Sequence, residues 1–178
     1  MGDAGGGWPG TFEDIRNAYR FLRQIAGKSS LDLTRVVVMG HSAGGQLALC
    51  LAGHEASVTR VVSLAGVVDM RRGLELHLSN DAVAEFLGGT PQQVPEHYHE
   101  ADPMELSIAH ARQVLIHGVA DDVVPIEMGR RYRDAKVAKK PAEDVRLIEV
   151  EKAGHFDLID PRTEAWGRVI GVVRELVG

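Results

Sequence analysis

The sequence has one cysteine, few aromatic residues and no excess of basic charge, and each of these features excludes a class of protein. A lone Cys50 allows no intrachain disulfide, and its place in an apolar stretch favours a buried, inert thiol. The net charge of -5 does not favour binding to a nucleic acid or to an anionic membrane surface. We therefore expect no nucleic-acid partner and no membrane partner.

Long apolar runs are also lacking. No stretch reaches the length of a transmembrane helix, and the residues after Met1 do not form the charged and then apolar segments of a signal peptide. These absences predict a cytoplasmic protein. The chain has 178 residues, of which 44% are hydrophobic, so we predict a single domain over residues 1–178 with a real core.

Helical and strand patterns alternate along the chain. Continuous apolar runs rich in β-branched residues are typical of parallel strands that are covered on both faces. We predict strands at 35–40, 60–66, 112–118 and 144–150, and helices at about 11–27, 43–53, 126–136 and 161–177, the first capped by Thr11. The alternation predicts an α/β fold: a mostly parallel sheet with helices on both faces.

Residues 67–111 interrupt this alternation. They include the proline- and turn-rich stretch "GGTPQQVPEHYHEADP", and we predict only short helices there, at about 71–79 and 81–87. We interpret the segment as a lid-like insertion.

The stretch "GHSAGG", Gly40 to Gly45, follows an apolar strand and leads into a helix of small and apolar residues. Glycine tolerates crowded or left-handed backbone, so the chain can turn directly from strand to helix and leave Ser42 at the apex. That is the context of a nucleophile elbow. The alternative is a tight turn in which Ser42 merely caps the following helix.

The carboxyl ends of the other predicted strands carry acidic residues and a histidine. The second strand leads to Asp69, the third to Asp121 and Asp122, and the fourth to His155. In a parallel sheet these ends meet at one edge, where ligands bind. A serine hydroxyl becomes a good nucleophile when an imidazole accepts its proton, and a carboxylate fixes the tautomer of that imidazole. The pattern therefore predicts nucleophilic catalysis.

With "GHSAGG", "HGVADDVVP" and "GHF" in this order at these strand ends, the sequence resembles the α/β-hydrolase superfamily, in its esterase, formamidase and prolyl-oligopeptidase-like branches. The resemblance implies that Ser42 is the nucleophile, His155 the general base and Asp121 the orienting acid. It also implies that the main-chain N–H of Ala43 donates to the oxyanion. Asp122 competes for the role of the acid, but the family pattern puts the acid at the fifth residue from the histidine of "HGVADDVVP". The chemistry needs no metal and no organic cofactor.

Other polar residues near the strand ends have simpler interpretations. We expect His41 and His117 to pack or to bond main-chain groups, and Asp69 to cap a helix or a turn. His97 and His99 form only a weak metal-binding pattern, because no third ligand follows at a recognisable spacing. The aromatic side chains that could line a substrate pocket, or simply pack, are Trp8, Tyr98 and Phe156.

The leading hypothesis is a serine hydrolase that cleaves small carboxylic esters through an acyl-enzyme on Ser42. The alternatives are a prolyl-oligopeptidase-like serine peptidase acting on amides, and a catalytically impaired remnant or binding module of the same fold. A covalent adduct at Ser42 would separate the enzymes from the remnant, and ester and peptide substrates would separate the two enzymes.

The resemblance also implies parts that this sequence does not contain. Family members carry four strands before the nucleophile strand and an "HGG"-type loop that supplies a second oxyanion donor. Residues Gly5 to Gly7 do not replace that loop, since no histidine precedes them. We therefore expect an N-terminally truncated hydrolase domain. The lack of the second oxyanion donor should reduce its activity. Strand 35–40 should lie at a sheet edge, which favours homo-oligomers.

Overall fold

The computed structural model describes residues 6–139 and 143–178. Met1 and Gly5 lie outside these ranges. The strands are β1 (Val38–His41), β2 (Arg60–Leu64), β3 (Arg112–Gly118) and β4 (Val145–Val150). The helices are α1 (Gly10–Ala26), α2 (Ala43–His54), α3 (Met70–Glu75), α4 (Ala82–Leu87), α5 (Pro95–Ala101), α6 (Glu127–Val137) and α7 (Glu164–Val177). Two short 3₁₀ helices span Leu33–Arg35 and Phe156–Ile159.

The sheet is parallel throughout the described residues, with the strands in the order β1-β2-β3-β4. Gly40 lies opposite Ser63, and Ser63 lies opposite Leu115. Because all four strands run in the same direction, their carboxyl ends lie at one edge of the sheet. This confirms the predicted arrangement and puts the loops after all four strands at the same end of the sheet.

Helices cover both faces of the sheet, as predicted. On one face, Val61 and Leu115 pack in a core with α1, α2 and α6. On the other face, the next residues along each strand pack against α7; they are Val62, Leu64, Val114 and Ile116. The alternation of strand side chains between two faces therefore supplies two apolar surfaces, each covered by helices.

Helix α2 is the most buried of these helices, with every residue from Gly45 to Ala52 buried. It contacts β1 and β2 on one side and α1 and α5 on the other. By contrast, α7 buries a single stripe, formed by Ala165, Val169, Val172 and Leu176. None of the helices in residues 6–139 and 143–178 combines the length and the apolar character needed to cross a bilayer.

Several predicted boundaries differ from the structure: β2 ends at Leu64 rather than at residue 66, and α7 begins at Glu164 rather than at residue 161. Two other predictions are wrong for local reasons. Strand β1 begins at Val38 rather than at residue 35, because Leu33–Arg35 form a 3₁₀ helix capped by the side chain of Asp32. Thr11 does not cap α1, which already begins at Gly10; its hydroxyl instead accepts a hydrogen bond from the main-chain N–H of Gly7.

The segment between β2 and β3 is more regular than its sequence indicates. It contains α3 and α4, close to the predicted short helices, and also α5, which the prolines of that stretch concealed. Pro95 stands in the first turn of α5, where its missing N–H would have no helical partner, so it starts this helix instead of breaking it. A lid role for residues 67–111 stays a prediction, as does the single domain over 1–178.

Candidate active site

Ser42 is the single residue between the end of β1 and the start of α2. Its φ of 56° and ψ of −120° are costly for a residue with a side chain, by about 1–3 kcal/mol. Its main-chain N–H donates to Leu64 O at 2.8 Å, and its carbonyl accepts from the N–H of Gly45 at 2.9 Å. The side chain makes no capping hydrogen bond, so the interpretation of Ser42 as a helix cap is wrong.

Two glycines let the chain turn so sharply at Ser42. A Cβ atom on Gly40 would lie 2.0 Å from the carbonyl oxygen of Gly44, and one on Gly45 would lie 2.6 Å from Ser63 Oγ. A Cβ atom on Gly44 would meet nothing within 4 Å. The close approach of strand and helix therefore requires Gly40 and Gly45, whereas Gly44 is not required sterically.

The main-chain N–H of Ala43 is suited to stabilise a negative charge beside Ser42. Ala43 is the first residue of α2, so this N–H has no partner inside the helix. The structure records no main-chain acceptor for it in the described ranges. It also lies at the positive end of the helix dipole, which favours an oxyanion.

Asp121, not Asp122, contacts His155. Asp121 Oδ2 lies 2.8 Å from His155 Nδ1, and the two side chains are 0% and 3% exposed, respectively. The other carboxylate oxygen accepts hydrogen bonds from the main-chain N–H groups of Val123 and Val124. Asp122 is exposed to solvent. The geometry thus places Asp121, the carboxylate that the family pattern favours, against His155 and leaves Asp122 in solvent.

His117 also lies beside the Oδ2 atom of Asp121. Its Nε2 atom donates to Val124 O at 2.8 Å and lies 3.4 Å from Asp121 Oδ2. Burial lowers the pKa of His117 and so favours its neutral form. As expected from the sequence, this histidine makes a main-chain hydrogen bond, and it also contributes to the surroundings of Asp121.

His41 joins the serine loop to the histidine loop. Its Nε2 atom donates to the main-chain oxygen of His155 at 2.9 Å, and the two imidazole rings are 4.4 Å apart between centroids. The described residues contain no hydrogen bond between Ser42 Oγ and His155, and they supply no hydrogen-bond partner for His155 Nε2. The structure therefore brings Ser42 and His155 to the same end of the sheet and leaves Nε2 free to accept a proton.

An apolar cavity of about 240 Å³ opens beside Ser42. Its lining residues are Thr11, Ser42, Ala43, Gln46, Leu47, Val67, Met70, Leu78, Ser79, Ala82, Val83 and Phe86. Residues from the first turns of α2 line this cavity together with residues in and just before α4. The sequence did not indicate that residues around α4 line the cavity. The segment between β2 and β3 is irregular, so no periodicity shows which of its side chains face Ser42.

The three aromatic residues considered as pocket lining do not line this cavity. Trp8 stacks on Phe12 with 5.2 Å between ring centroids. Tyr98 is buried and donates its hydroxyl hydrogen to Gly89 O. Phe156 is 65% exposed beside the rings of His41 and His155. Packing therefore accounts for Trp8 and Tyr98.

The remaining polar candidates have structural roles. Asp69 caps α3 by accepting from the N–H of Arg72, as expected. His97 Nδ1 bonds the carbonyl oxygen of Leu87, and His99 is largely exposed near Glu105. No cluster of three or more metal-ligating side chains occurs in the part of the chain that the structure describes. Cys50 is buried, and burial raises the pKa of its thiol, so the thiolate is disfavoured.

The parallel sheet, the strained serine between β1 and α2, and the Asp121–His155 pair at the following strand ends define an α/β-hydrolase. The sequence model of the BD-FAE family matches residues 4–135, and the chain belongs to that family.

Relatives and solved structures of similar proteins include several esterases. The chain is 28% identical to Esterase LipC of Mycobacterium tuberculosis, over 86% of this chain and 42% of LipC. It is 31% identical to Uncharacterized peptidase YtmA of Bacillus subtilis, over 74% of this chain and 51% of YtmA. The structure of Thermogutta terrifontis esterase 2 phosphoramylated by tabun superimposes with a TM-score of 0.69 at 26% identity, over 93% and 62% of the two chains. The chain thus spans about half, or less, of the curated relatives it matches.

Proposed function

We propose that this chain is a serine hydrolase that cleaves small carboxylic esters through an acyl-enzyme on Ser42. The observation that carries the proposal is the buried Asp121–His155 hydrogen bond, at 2.8 Å. It lies at the same end of the sheet as Ser42, whose backbone is strained and whose side chain caps no helix. A carboxylate on Nδ1 leaves Nε2 as the unprotonated nitrogen of a neutral imidazole, which is the form that a general base requires.

Acylation begins when Ser42 Oγ attacks the carbonyl carbon of the ester and His155 Nε2 accepts the hydroxyl proton. The carbonyl oxygen becomes an oxyanion, and the N–H of Ala43 donates to it. Asp121 stabilises the imidazolium that has formed. The bond between the carbonyl carbon and the alcohol oxygen then breaks, and His155 returns its proton to the leaving alcohol.

Deacylation repeats these steps with water. His155 Nε2 takes a proton from the water molecule, whose oxygen attacks the acyl carbon. The bond between that carbon and Ser42 Oγ breaks, the proton returns to the serine, and the carboxylic acid leaves. Side chains and main-chain N–H groups carry every step, so the reaction uses no metal and no organic cofactor.

The cavity beside Ser42 supports a small acyl group as the substrate. Its volume of about 240 Å³ lies below the range typical of sites for drug-sized ligands. Its walls are mainly apolar, with Leu47, Val83 and Phe86 among them. An apolar acyl chain of a few carbons would replace water there without leaving polar groups unpaired. The names of LipC and of the Thermogutta enzyme also favour ester substrates.

A peptidase is the second candidate, supported by the likeness to YtmA. The same groups can cleave an amide, in which case His155 protonates a leaving amine instead of an alcohol. A panel of short p-nitrophenyl esters and aminoacyl p-nitroanilides separates the two candidates. An ester hydrolase should cleave the acetyl to hexanoyl esters and none of the anilides, whereas a peptidase should cleave anilides as well.

The third candidate is a binding module without turnover. It is supported by the single oxyanion donor, Ala43, that the described residues offer beside Ser42. The loss of one donor in a hydrolase lowers turnover by about 10²–10³-fold. The test must therefore detect an activated serine even where multiple turnover is slow.

The decisive experiment is intact-protein mass spectrometry after incubation with a fluorophosphonate. The reagent forms a bond between Ser42 Oγ and phosphorus as fluoride leaves, so one adduct reports an activated serine. We expect the adduct in the wild type and in His99→Ala, an exposed-histidine control, but not in Ser42→Ala or His155→Ala. A wild type that is folded by circular dichroism and forms no adduct would refute the hydrolase and support the binding module.

A further inference from the structure

We propose that His41 is a positioning residue, which holds the main chain of His155 within reach of Ser42 by donating a hydrogen bond to the His155 carbonyl oxygen. The inference rests on the proposed function, because reach matters only if His155 takes the serine proton. It assigns a positioning task to a histidine that the sequence predicts only to pack or to bond a main-chain group.

The sheet itself does not hold these two loops together. Ser42 follows β1 and His155 follows β4, and these strands are at opposite edges of the described sheet. Three strand spacings of about 4.8 Å separate β1 from β4 by about 14 Å. The loop after β4 must therefore reach back across the ends of two strands.

Two contacts hold the His155 loop on the side of β3. The N–H of Ala120 donates to Ala153 O at 3.0 Å, and Asp121 accepts from His155 Nδ1 at 2.8 Å. The second contact fixes the direction of the imidazole ring, and neither contact reaches β1. Within the loop, the N–H of Gly154 bonds Asp157 Oδ2, which is a local contact.

His41 supplies the restraint on the side of β1. A carbonyl oxygen only accepts hydrogen bonds, so His41 Nε2 carries a hydrogen and donates it over 2.9 Å. The ring of His41 also lies against the ring of His155, and Phe156 flanks both rings. Because His41 directly precedes Ser42 in the chain, this bond ties the histidine loop to the neighbour of the nucleophile.

The surroundings of His41 also suit the chemistry. Burial lowers its pKa and outweighs the opposing effect of the hydrogen bond to the His155 carbonyl oxygen, so the neutral form is favoured. A neutral His41 can donate from Nε2 without adding a second positive charge beside the imidazolium that forms on His155. The geometry and the charge state therefore agree with a positioning task.

The test compares two substitutions of His41 with one of His54. His41→Phe keeps a planar ring and removes the donor, whereas His41→Gln keeps an N–H donor near the position of Nε2. His54 is the matched control because its Nε2 atom bonds a main-chain carbonyl oxygen, that of Glu100 at 2.8 Å, away from Ser42. We would measure the rate of fluorophosphonate labelling as a function of reagent concentration, and the melting temperature of each variant.

The labelling data have a specific expected pattern. Loss of one hydrogen bond of 0.5–1.5 kcal/mol corresponds to about 2–12-fold, and a displacement of the base by about 1 Å costs up to about 10²-fold. We expect His41→Phe to lower the maximal labelling rate by about tenfold or more, with little change in half-saturation. His41→Gln should recover most of the rate, and His54→Phe should label like the wild type.

Hydrogen exchange tests the same inference without any catalysis. In His41→Phe, the amides of residues 151–156 should exchange faster, while His54→Phe should leave them unchanged. If the wild type forms no adduct, the proposed function fails, and the exchange result alone decides the role of His41. Unchanged exchange at 151–156, or equal labelling of wild type and His41→Phe, would overturn the proposal. If His41→Phe does not fold, His41→Asn, whose amide is too short to reach the carbonyl, replaces it.

Discussion

The carboxylate of Asp121 shows how much a single side chain depends on its surroundings. One oxygen accepts from two main-chain N–H groups, and the other faces His155 and His117. A buried carboxylate with donors on both oxygens is fixed in position and stays compatible with a negative charge. It can therefore fix the tautomer of His155 Nδ1, whereas the exposed Asp122 beside it cannot.

This arrangement predicts different outcomes for two neighbouring amide substitutions. Asp121→Asn retains the volume of the side chain, but its NH₂ group can turn toward His155 and favour the wrong imidazole tautomer. We expect fluorophosphonate labelling and ester hydrolysis to fall by up to about 10⁴-fold. Asp122→Asn changes an exposed side chain and should stay within about twofold of the wild type.

Labelling rates and initial rates on a short-chain p-nitrophenyl ester measure the difference, with melting curves to verify folding. An equal loss in both variants would contradict the assignment of Asp121. A larger loss in Asp122→Asn would transfer the role to Asp122.

At the scale of elements, close packing at the junction of β1 and α2 determines how Ser42 is exposed. Helix α2 lies so close to the strands that Gly45 faces both Ser63 Oγ and the Cα atom of Gly66. The hydroxyl of Ser63 is buried there, with no hydrogen-bond partner among the described residues. The turn that exposes Ser42 is thus maintained by tight packing.

Two adjacent glycines of this junction should respond oppositely to alanine. In Gly45→Ala the new methyl group would lie 2.6 Å from Ser63 Oγ and 3.0 Å from Gly66 Cα. We expect the free energy of unfolding to fall by about 1–3 kcal/mol, as for other overpacked sites. In Gly44→Ala the methyl group meets nothing within 4 Å, so a gain of up to about 1 kcal/mol from helix propensity is expected.

Urea unfolding followed by circular dichroism measures both changes. The double variant Gly45→Ala/Ser63→Ala should recover part of the loss, since it removes the closest of the contacts. Equal stabilities of Gly44→Ala and Gly45→Ala would show that α2 can move away from the sheet at no cost.

For the whole molecule, the open edge of the sheet at β1 is the feature with consequences beyond the site. In the described chain β1 pairs with β2 on one side, and its other side has no strand partner. Met39 on this strand is 42% exposed, and Phe156 and Ile159, in the 3₁₀ helix after His155, are also exposed. An edge strand with exposed apolar neighbours favours pairing with another chain.

We therefore predict that the 178-residue chain self-associates through β1. Met39→Lys should shift the equilibrium toward the monomer, since a lysine on an edge strand opposes pairing. Val137→Lys is the matched control: Val137 is 50% exposed, but it lies on α6, away from β1. Sedimentation velocity over a range of concentrations gives the result. A wild type that is monomeric at every concentration, or an equal effect of both lysines, would contradict this interface.

The sequence by itself determined the order of strands and helices, the parallel sheet and the place of Ser42. These features depend on local causes: apolar runs set the strands, helical spacing sets the helices, and Gly40 and Gly45 permit the turn. Local patterns were less informative where two causes compete, as at Pro95, which breaks a helix interior but begins a helix equally well.

Only the tertiary structure decided what His41 bonds and which side chains line the cavity. It also placed Asp121, the carboxylate that the family pattern favours, against His155. Asp121 and His155 are 34 positions apart, and His41 and His155 are 114 apart. Contacts over such distances depend on how the helices pack on the sheet and on the direction each loop takes. Neighbours such as Asp121 and Asp122 differ only in that direction, which a short stretch of sequence does not fix.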